Sequence, residues 1–194
     1  MWSTEKIVET AIQECKHVYQ DTNGDERGWF SRLFEVFEDG LFPMNSIKHV
    51  NNSLATKAGT LRGLHWQEGI HAETKIVRCT QGSVMDIVVD VRRDSPTFGE
   101  SAVIQLEANT PSFVYVPRGC AHGIISLTDR AEIIYWSDQE YVPKAERGMR
   151  FDDPFAHLSL PSIPSHVSEK DLAWPRFGIQ PVRGVIGLSG SRKI

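Results

Sequence analysis

The segment GTLRGLHWQEGIHAETK, residues 59–75, brings an arginine, two histidines, a tryptophan, a glutamine and a lysine into one short stretch. Read as a strand over residues 61–67, side-chain alternation places His65 on one face and Arg62 on the other. A second strand that begins near Glu73 places Lys75 on the same face as Glu73. If the two strands lie side by side, His65 and Lys75 point into one cavity. An imidazole beside an ammonium combines a proton acceptor with a stabiliser of negative charge, which predicts acid–base chemistry here.

Short segments with period-two alternation follow this stretch and predict a β fold. In residues 85–91 apolar side chains alternate with Asp86 and Asp90, which predicts one core face and one partly polar face. Further segments, separated by Gly, Pro, Asn and Asp, occur at residues 101–107, 113–116, 122–127 and 132–136. Because no helical pattern intervenes, the series predicts an antiparallel sandwich or barrel.

The two ends of the chain carry weaker patterns. Between Thr4 and Lys16 apolar residues recur at steps of three and four, which is compatible with a short amphipathic helix or an irregular arm. Residues 29–37 are rich in aromatic side chains and fit a strand or a short helix. After Pro154, Pro- and Ser-containing segments are predicted to wrap the outside, and residues 184–194 to form a loose tail.

Length and composition limit the class of protein. A chain of 194 residues with 40% hydrophobic side chains can form one sizeable core, so we expect one domain over residues 1–194 with its core at about 20–175. A formal net charge of −4 gives no general attraction to nucleic acid or anionic membranes, so neither is expected as a partner. The cysteines, Cys15, Cys79 and Cys120, form no CxxC pair and fit a reducing compartment, which predicts a cytoplasmic location.

An ordered series of motifs resembles one enzyme family. In chain order they are DERG at residues 25–28, RGLHWQ at 62–67, KIVR at 75–78, GSVMD at 82–86, DSPTFG at 94–99, PRGCAHG at 117–123 and SEKD at 168–171. Together these motifs are similar to those of the dTDP-4-dehydrorhamnose 3,5-epimerases, cupin-type enzymes that act on nucleotide sugars. The resemblance covers roughly residues 20–175 of the chain.

The resemblance implies a fold, an activity and an assembly. The fold would be an all-β, cupin-type jelly-roll β-sandwich or barrel with a few short peripheral helices. The activity would be an isomerase reaction that inverts one or both carbons beside the ketone of a nucleotide-activated 4-keto-6-deoxy sugar, with dTDP-4-dehydro-6-deoxyglucose as the first choice of substrate. The assembly would be a homodimer with exchanged amino-terminal strands, without a metal requirement or cofactor.

The resemblance also assigns four catalytic roles. His65 would be the base, and Asp171 would orient its ring and stabilise the imidazolium. Lys75 would face the enolate oxygen, and Tyr135 would supply a proton from the opposite side. A C–H beside a carbonyl is only weakly acidic, so a tuned base and a preorganised positive charge are what this reaction needs.

Substrate contacts follow from the same matching positions. Arg62 and His122 would lie near the sugar or the phosphates, Asn51 in the pocket, and Arg27 and Phe30, supplied by the partner subunit, at the nucleotide. The full predicted set of substrate-binding residues is Arg27, Phe30, Arg32, His49, Asn51, Arg62, Gln67, His122, Glu140, Tyr141 and Glu146.

Some of these positions depart from the family pattern. Arg32 replaces a common glutamate, which makes guanine conceivable as the nucleobase because its O6 and N7 suit arginine. Trp136 replaces a lysine, and Glu140 replaces the first of two tyrosines. His49 and Val50 stand where the family tends to show Gln and Asp.

Several alternatives remain open from the sequence. His122 fits equally a ligand contact and a structural histidine held by an acid such as Asp86. A metal-binding cupin is the main chemical rival, with His71, Glu73 and His122 in suggestive places, although Gln67 stands where such cupins carry a second histidine. The activity could also be that of a mono-epimerase or keto-isomerase on a different nucleotide sugar, or the protein could be a non-catalytic sugar-nucleotide-binding cupin.

Overall fold

Strands dominate the part of the chain that the structure, a computed structural model, describes, namely residues 4–32 and 47–178. The strands are β1 (Thr4–Glu9), β2 (Lys16–Gln20), β3 (Asn23–Asp25), β4 (Gly28–Phe30), β5 (His49–Ala55), β6 (Thr60–Gln67), β7 (Lys75–Gln81), β8 (Ser83–Asp90), β9 (Ser101–Glu107), β10 (Ser112–Val116), β11 (Cys120–Ser126), β12 (Ala131–Ser137), β13 (Glu146–Gly148) and β14 (His166–Val167). One short helix, α1 (Glu169–Leu172), and two 3₁₀ turns, Gly69–His71 and Pro154–Ala156, lie between or after them. The predicted all-β class with a few short peripheral helices is confirmed.

Two sheets form the sandwich. The first sheet has the order β1-β2-β10-β7-β12-β5, and the second has the order β13-β6-β11-β8-β9, with β14 added parallel to β6. Apolar side chains from both sheets meet between them, for example Val77 and Val114 of the first sheet with Val88 and Ile124 of the second. A separate pair of strands, β3 and β4, forms an exposed hairpin. In the described part of the chain, no helix is long and apolar enough to cross a bilayer.

The strand over residues 85–91 is present as β8, with a core face that includes Ile87 and Val89 and a partly polar face that includes Asp86 and Asp90. All residues from Asp86 to Asp90 are buried, so neither face is open to solvent. The face with Met85, Ile87 and Val89 is covered by apolar side chains of the carboxyl-terminal segment, including Phe155. Asp86 instead points into the sandwich. The predicted wrapping of the outside by the segments after Pro154 is therefore confirmed, and it explains why both faces of β8 are buried.

The helix considered between Thr4 and Lys16 is wrong. These residues form β1 and the start of β2, which pair in antiparallel register, and β2 pairs in turn with β10. Ile12 and Cys15, in the turn between the strands, are 1% and 0% exposed and join the main core. Backbone pairing with a neighbouring strand therefore outweighs the weak helical period. Of residues 29–37, Trp29 and Phe30 lie in β4; residues 33–37 and the tail at 184–194 lie outside the described residues.

A buried carboxylate closes the turn after β8. Asp90 is 0% exposed and accepts hydrogen bonds from the Arg92 guanidinium at 2.8 and 2.9 Å, Ser95 Oγ at 2.6 Å and Thr97 Oγ1 at 2.7 Å. Burial raises the pKa of Asp90, but these hydrogen bonds outweigh burial and hold the pKa at about 2 instead of 3.8. The ionised side chain therefore stabilises the folded state.

We predict that Asp90→Asn lowers the free energy of unfolding at pH 7 by about 2 kcal/mol, the equivalent of the depressed pKa. Because the folded-state pKa lies below the unfolded one, this contribution is complete above about pH 4 and is lost as the pH falls to about 2. Urea unfolding at pH 7 and in acid measures the difference. Asp152→Asn is the control, because that carboxylate pairs with Arg150 on the surface at 41% exposure. A difference between Asp90→Asn and wild type that is independent of pH would contradict the prediction.

Candidate active site

A cavity of about 770 Å³ lies between the two sheets. Lys75 and Tyr135 line it from the first sheet, and Arg62, His65 and His122 line it from the second. The predicted cavity shared by His65 and Lys75 is therefore present. The expectation that their strands lie side by side is wrong, because β6 and β7 belong to opposite sheets. The two side chains consequently face each other across the sandwich.

His65 forms a close pair with Asp171 of α1. The distance from His65 Nε2 to Asp171 Oδ1 is 2.6 Å, and Asp171 is 5% exposed. Burial raises the pKa of Asp171, but hydrogen bonds with the side chains of His65 and Ser168 and with the N–H of Gly63 leave the pKa below its usual range. The carboxylate is thus ionised and can only accept. His65 then donates through Nε2, which leaves Nδ1 as the nitrogen able to take a proton.

Lys75 is held by a carboxylate of its own. Its Nζ lies 3.1 Å from Glu73 Oε1, and the two side chains are 12% and 11% exposed. The other oxygen, Glu73 Oε2, accepts a hydrogen bond from Ser137 Oγ at 2.7 Å. Glu73 therefore fixes the ammonium at the cavity wall. The family motifs assign Glu73 no role in an epimerase site, although its alternation with Lys75 in the sequence places the two side chains on one face.

Tyr135 is on β12, next to the edge strand β5 of the first sheet, and it lines the cavity. Its cross-strand neighbours are Val77 on β7 and Asn51 on β5. Burial, together with the negative charge of Glu73, raises the pKa of Tyr135 despite a hydrogen bond from Asn51 and the positive charge of Arg62. The phenol is therefore protonated at neutral pH and can donate a proton.

A β-bulge brings Arg62 to the same cavity as His65. In the pairing of β6 with β11, His65 is opposite His122 and Arg62 is opposite Ile124. Three residues along β6 therefore correspond to two residues along β11, so β6 carries one extra residue. The sequence-based placement of Arg62 and His65 on opposite faces is therefore wrong, because one extra residue reverses the alternation. Gly63 allows this close approach: a Cβ there would lie 2.7 Å from His122 O, and its φ is +113°.

His122 has the structural role left open from sequence, and its position leaves a ligand contact possible as a prediction. Its Nε2 lies 2.8 Å from Asp86 Oδ2, which confirms the suggested partner, and its side chain also lines the main cavity. Asp86 is 0% exposed and Asp86 Oδ1 is buried without a hydrogen-bond partner. The cavity wall thus contains two histidine–carboxylate pairs on adjacent strands.

A smaller cavity of about 390 Å³ shares His65, Lys75 and Tyr135 with the main one. Five predicted substrate-binding residues line it: His49, Asn51, Gln67, Tyr141 and Glu146. Glu146 accepts hydrogen bonds from Tyr141 Oη at 2.9 Å and from Lys170 Nζ at 2.8 Å. Burial raises the pKa of Glu146, but these bonds hold it below the usual range. A fixed negative charge therefore lies at this end of the site.

Gln67 and Glu140 are placed differently from the other predicted residues. The Gln67 side chain is 2% exposed. Within the described part of the chain, its hydrogen-bond partners are all backbone groups: it donates to the carbonyls of His71 and Glu140 and accepts from the N–H of Val142. It therefore holds the loops at the cavity edge. Glu140 is exposed and is not among the described residues that line either cavity.

The predicted nucleotide contacts lie away from both cavities of this chain. Arg27 is 85% exposed at its side chain and pairs with Asp25 in the β3–β4 hairpin, and Phe30 is 58% exposed. Arg32 is also exposed, and its carbonyl accepts a hydrogen bond from Gln20. The structure therefore does not bring these three residues to the His65 site within one chain.

The metal-binding alternative requires a cluster of ligands. Across residues 4–32 and 47–178, no three His, Cys, Asp or Glu side chains are grouped so as to hold a metal ion. His65 and His122 each pair with a single carboxylate, Asp171 and Asp86. The donor set of a metal cupin is not assembled from the described residues.

A jelly roll whose cavity holds a histidine–aspartate pair opposite a lysine and a protonated tyrosine defines a cupin-type isomerase built for proton transfer at carbon. Comparison with known proteins identifies the family. A sequence model described as dTDP-4-dehydrorhamnose 3,5-epimerase matches residues 9–178. The chain belongs to this family.

Individual relatives support the assignment. The dTDP-4-dehydrorhamnose 3,5-epimerase of Shigella flexneri is 35% identical over 173 residues, which are 88% of this chain and 95% of the relative. The structure of a Legionella pneumophila dTDP-6-deoxy-D-glucose-3,5-epimerase in complex with dTDP-4-keto-L-rhamnose matches with a TM-score of 0.83 at 31% identity, covering 90% of this chain and 94% of that one. A 3′-monoepimerase from Streptomyces bikiniensis in complex with dTDP-quinovose matches with a TM-score of 0.78 at 28% identity, covering 86% and 85%.

We predict that Gly63→Ala destabilises the protein by about 3 kcal/mol, because the new Cβ meets backbone atoms and the residue cannot keep its positive φ without strain. Chemical denaturation measures the change. Gly69→Ala is the matched control: its φ is +63°, but no atom lies within 4 Å of the added Cβ, so about 1 kcal/mol is expected. Equal losses in the two variants would show that close packing at Gly63 has no energetic role.

Proposed function

We propose that the protein inverts both carbons beside the ketone of dTDP-4-dehydro-6-deoxyglucose by removing and returning protons through an enolate. The observation that supports this most directly is the convergence of the His65–Asp171 pair, Lys75 and Tyr135 on one cavity. The reaction needs a base, a cation for the developing oxyanion and an acid, and each is supplied by a different side chain.

His65 acts as the base. Its Nδ1 takes the proton from the carbon beside the ketone, and the C–H electron pair moves to form the enolate while the imidazole becomes an imidazolium. Asp171, ionised and 2.6 Å from Nε2, stabilises that positive charge. Lys75, held by Glu73 at 3.1 Å, balances the charge that develops on the ketone oxygen.

Inversion requires a proton from the face opposite the base. His65 belongs to the second sheet and Tyr135 to the first, so the two side chains approach the cavity from opposite walls. The pKa of Tyr135 is raised by burial, which keeps the hydroxyl protonated until the enolate accepts its proton. Before the next inversion, the phenolate takes a proton from solvent and the His65 imidazolium releases its proton to solvent.

The sugar nucleotide occupies the two cavities together. Arg62 on the wall of the main cavity provides donors for the sugar and the diphosphate, and His122, paired with Asp86, lies beside the same space. The relatives named above act on or bind dTDP sugars, which favours dTDP over the guanine nucleotide suggested by Arg32. The 3′-monoepimerase relative makes inversion at a single carbon the second candidate.

The single domain is proposed to assemble as a homodimer in which amino-terminal strands cross to the partner. Trp29 and Phe30, 50% and 58% exposed on the β3–β4 hairpin, support this arrangement, since exposed aromatic side chains mark interaction surfaces. Arg27 and Phe30 would then contact the nucleotide in the partner's cavity. The three free, buried cysteines support a cytoplasmic location.

We predict that the wild-type protein in D₂O incorporates two deuterons per product, one at each carbon beside the ketone, and that His65→Ala lowers both exchange and turnover on the order of 10³-fold. Binding of dTDP by His65→Ala stays close to that of wild type, because the imidazole acts on the sugar. Mass spectrometry and calorimetry measure these quantities. His157→Asn, at an exposed histidine, is the control.

The deuterium count also separates the alternatives. One deuteron indicates a mono-epimerase, and a migrated carbonyl indicates a keto-isomerase. Unchanged exchange in His65→Ala would refute the mechanism, and a wild-type protein that binds dTDP sugars without exchange would identify a non-catalytic binding protein.

We predict that Tyr135→Phe separates exchange from inversion. Loss of the acid lowers inversion on the order of 10²-fold or more, while His65 continues to remove and return a proton on its own face. NMR of substrate recovered from D₂O should show deuterium at an uninverted carbon. The control is Tyr115→Phe, which removes a buried hydroxyl from a side chain that packs in the separate cluster with Ile76. Equal losses of exchange and inversion in Tyr135→Phe would contradict the assignment.

A further inference from the structure

We propose that Trp174 is a positioning residue that holds the imidazole of His65 against Asp171 and keeps water from their hydrogen bond; this proposal rests on the function proposed above. Trp174 directly follows Ala173, the C-cap of the helix that carries Asp171. The position was not among the residues singled out from sequence. Only the fold brings its indole to the active site.

The first observation is the ring contact itself. The ring centroids of Trp174 and His65 lie 6.0 Å apart with an angle of 62° between the planes, an edge contact of the kind that aromatic pairs favour. His65 keeps only 28% side-chain exposure. The indole therefore restricts the imidazole at the point where the Asp171 bond must form.

The second observation is the space that the indole occupies. Gly148 of β13 is the cross-strand partner of His65, and a Cβ added to Gly148 would lie 2.2 Å from the Trp174 ring. The ring thus lies against the backbone of Gly148, next to His65, in a place that only a glycine leaves open. Gly148 and Trp174 therefore fit each other closely, because a larger residue at position 148 would collide with the indole.

The third observation concerns the polar groups around the indole. Trp174 Nε1 is buried without a hydrogen-bond partner, which is unfavourable for a side chain that only fills space. Lys170 Nζ lies 6.0 Å from the ring centroid and is itself bound by Glu146. The indole is therefore held between the Gly148 backbone and the Lys170–Glu146 ion pair, although its N–H gains no partner there.

The consequence for the reaction is specific to the proton-transfer step. A loosened or more hydrated imidazole samples geometries in which Nδ1 is misaligned with the C–H bond, and small misplacements of this kind lower rates strongly. The indole contacts the base directly, and it neighbours the predicted substrate contact Glu146 only through Lys170. Its loss should therefore lower kcat and leave KM nearly unchanged.

The experiment compares steady-state turnover of the full chain in four variants. Trp174→Ala and Gly148→Ala, whose new methyl group displaces the ring, should each lower kcat on the order of 10-fold to 100-fold with KM within about twofold of wild type. Trp174→Phe should recover most of the loss. The control is Phe177→Ala, which loosens the same segment where it packs on Trp66 and Phe155, and it should lower Tm with kcat near that of wild type.

A second readout does not depend on activity. The His65 Nε2–H signal in ¹H–¹⁵N NMR spectra, assigned by its loss in His65→Asn, should be visible in wild type and lost to solvent exchange in Trp174→Ala and Gly148→Ala. Its persistence in both variants, or a kcat loss in Phe177→Ala equal to that in Trp174→Ala, would overturn the proposal. If Trp174→Ala does not fold, Gly148→Ala and Trp174→Phe decide it. A wild-type protein without turnover but with this pattern of NMR signals would refute the proposed function and leave the positioning role of Trp174 intact.

Discussion

The close approach of β6 to β11 at Gly63 is the constraint on which the arrangement of the site depends. A Cβ at Gly63 would lie 2.7 Å from His122 O, and one at the facing Gly123 would lie 2.6 Å from Arg62 O. Two glycines therefore let the backbones meet where a bulge inserts one extra residue. That residue turns Arg62 toward the cavity already occupied by His65, and it also places the Gly63 N–H 3.4 Å from Asp171. One local irregularity thus combines a guanidinium, an imidazole and a carboxylate on one wall.

On the opposite wall, β12 pairs regularly with β7 from Ile133 to Ser137. Cross-strand pairing places Tyr135 beside Asn51 and Val77. Two residues further along β12, on the same face, Ser137 pairs with Lys75. The same alternation turns Trp136 to the outer cluster with Ile76, away from the cavity. Trp136, which the sequence resemblance marks as a departure from the family pattern, therefore lies on the far side of the sheet from the cavity. His65 is on one sheet and Tyr135 on the other, so the two side chains face the cavity from opposite walls.

Three polar side chains of the cavity are stabilised by their surroundings. Asp171 stays ionised through hydrogen bonding to His65, Glu73 holds Lys75, and burial keeps Tyr135 protonated. Since buried charges are costly unless paired, these partners make a polar site compatible with a folded sandwich. Outside the site, Asp90 is another buried charge that is stabilised by its partners, and its hydrogen bonds close the turn after β8.

The sequence alone determined the strand series, the all-β class and the family, because alternation and motif order are local properties of the chain. It also singled out His65, Lys75, Tyr135 and Asp171, which the fold brings to one cavity. It could not show that β6 and β7 lie in facing sheets, that a bulge reverses the alternation at Gly63, or that both faces of β8 are buried. Those features depend on contacts between residues far apart in the chain, as does the position of Trp174 against His65. Only the tertiary structure decided these features, because the periodicity of a sequence indicates that a segment is a strand but does not indicate which other segments pack against it.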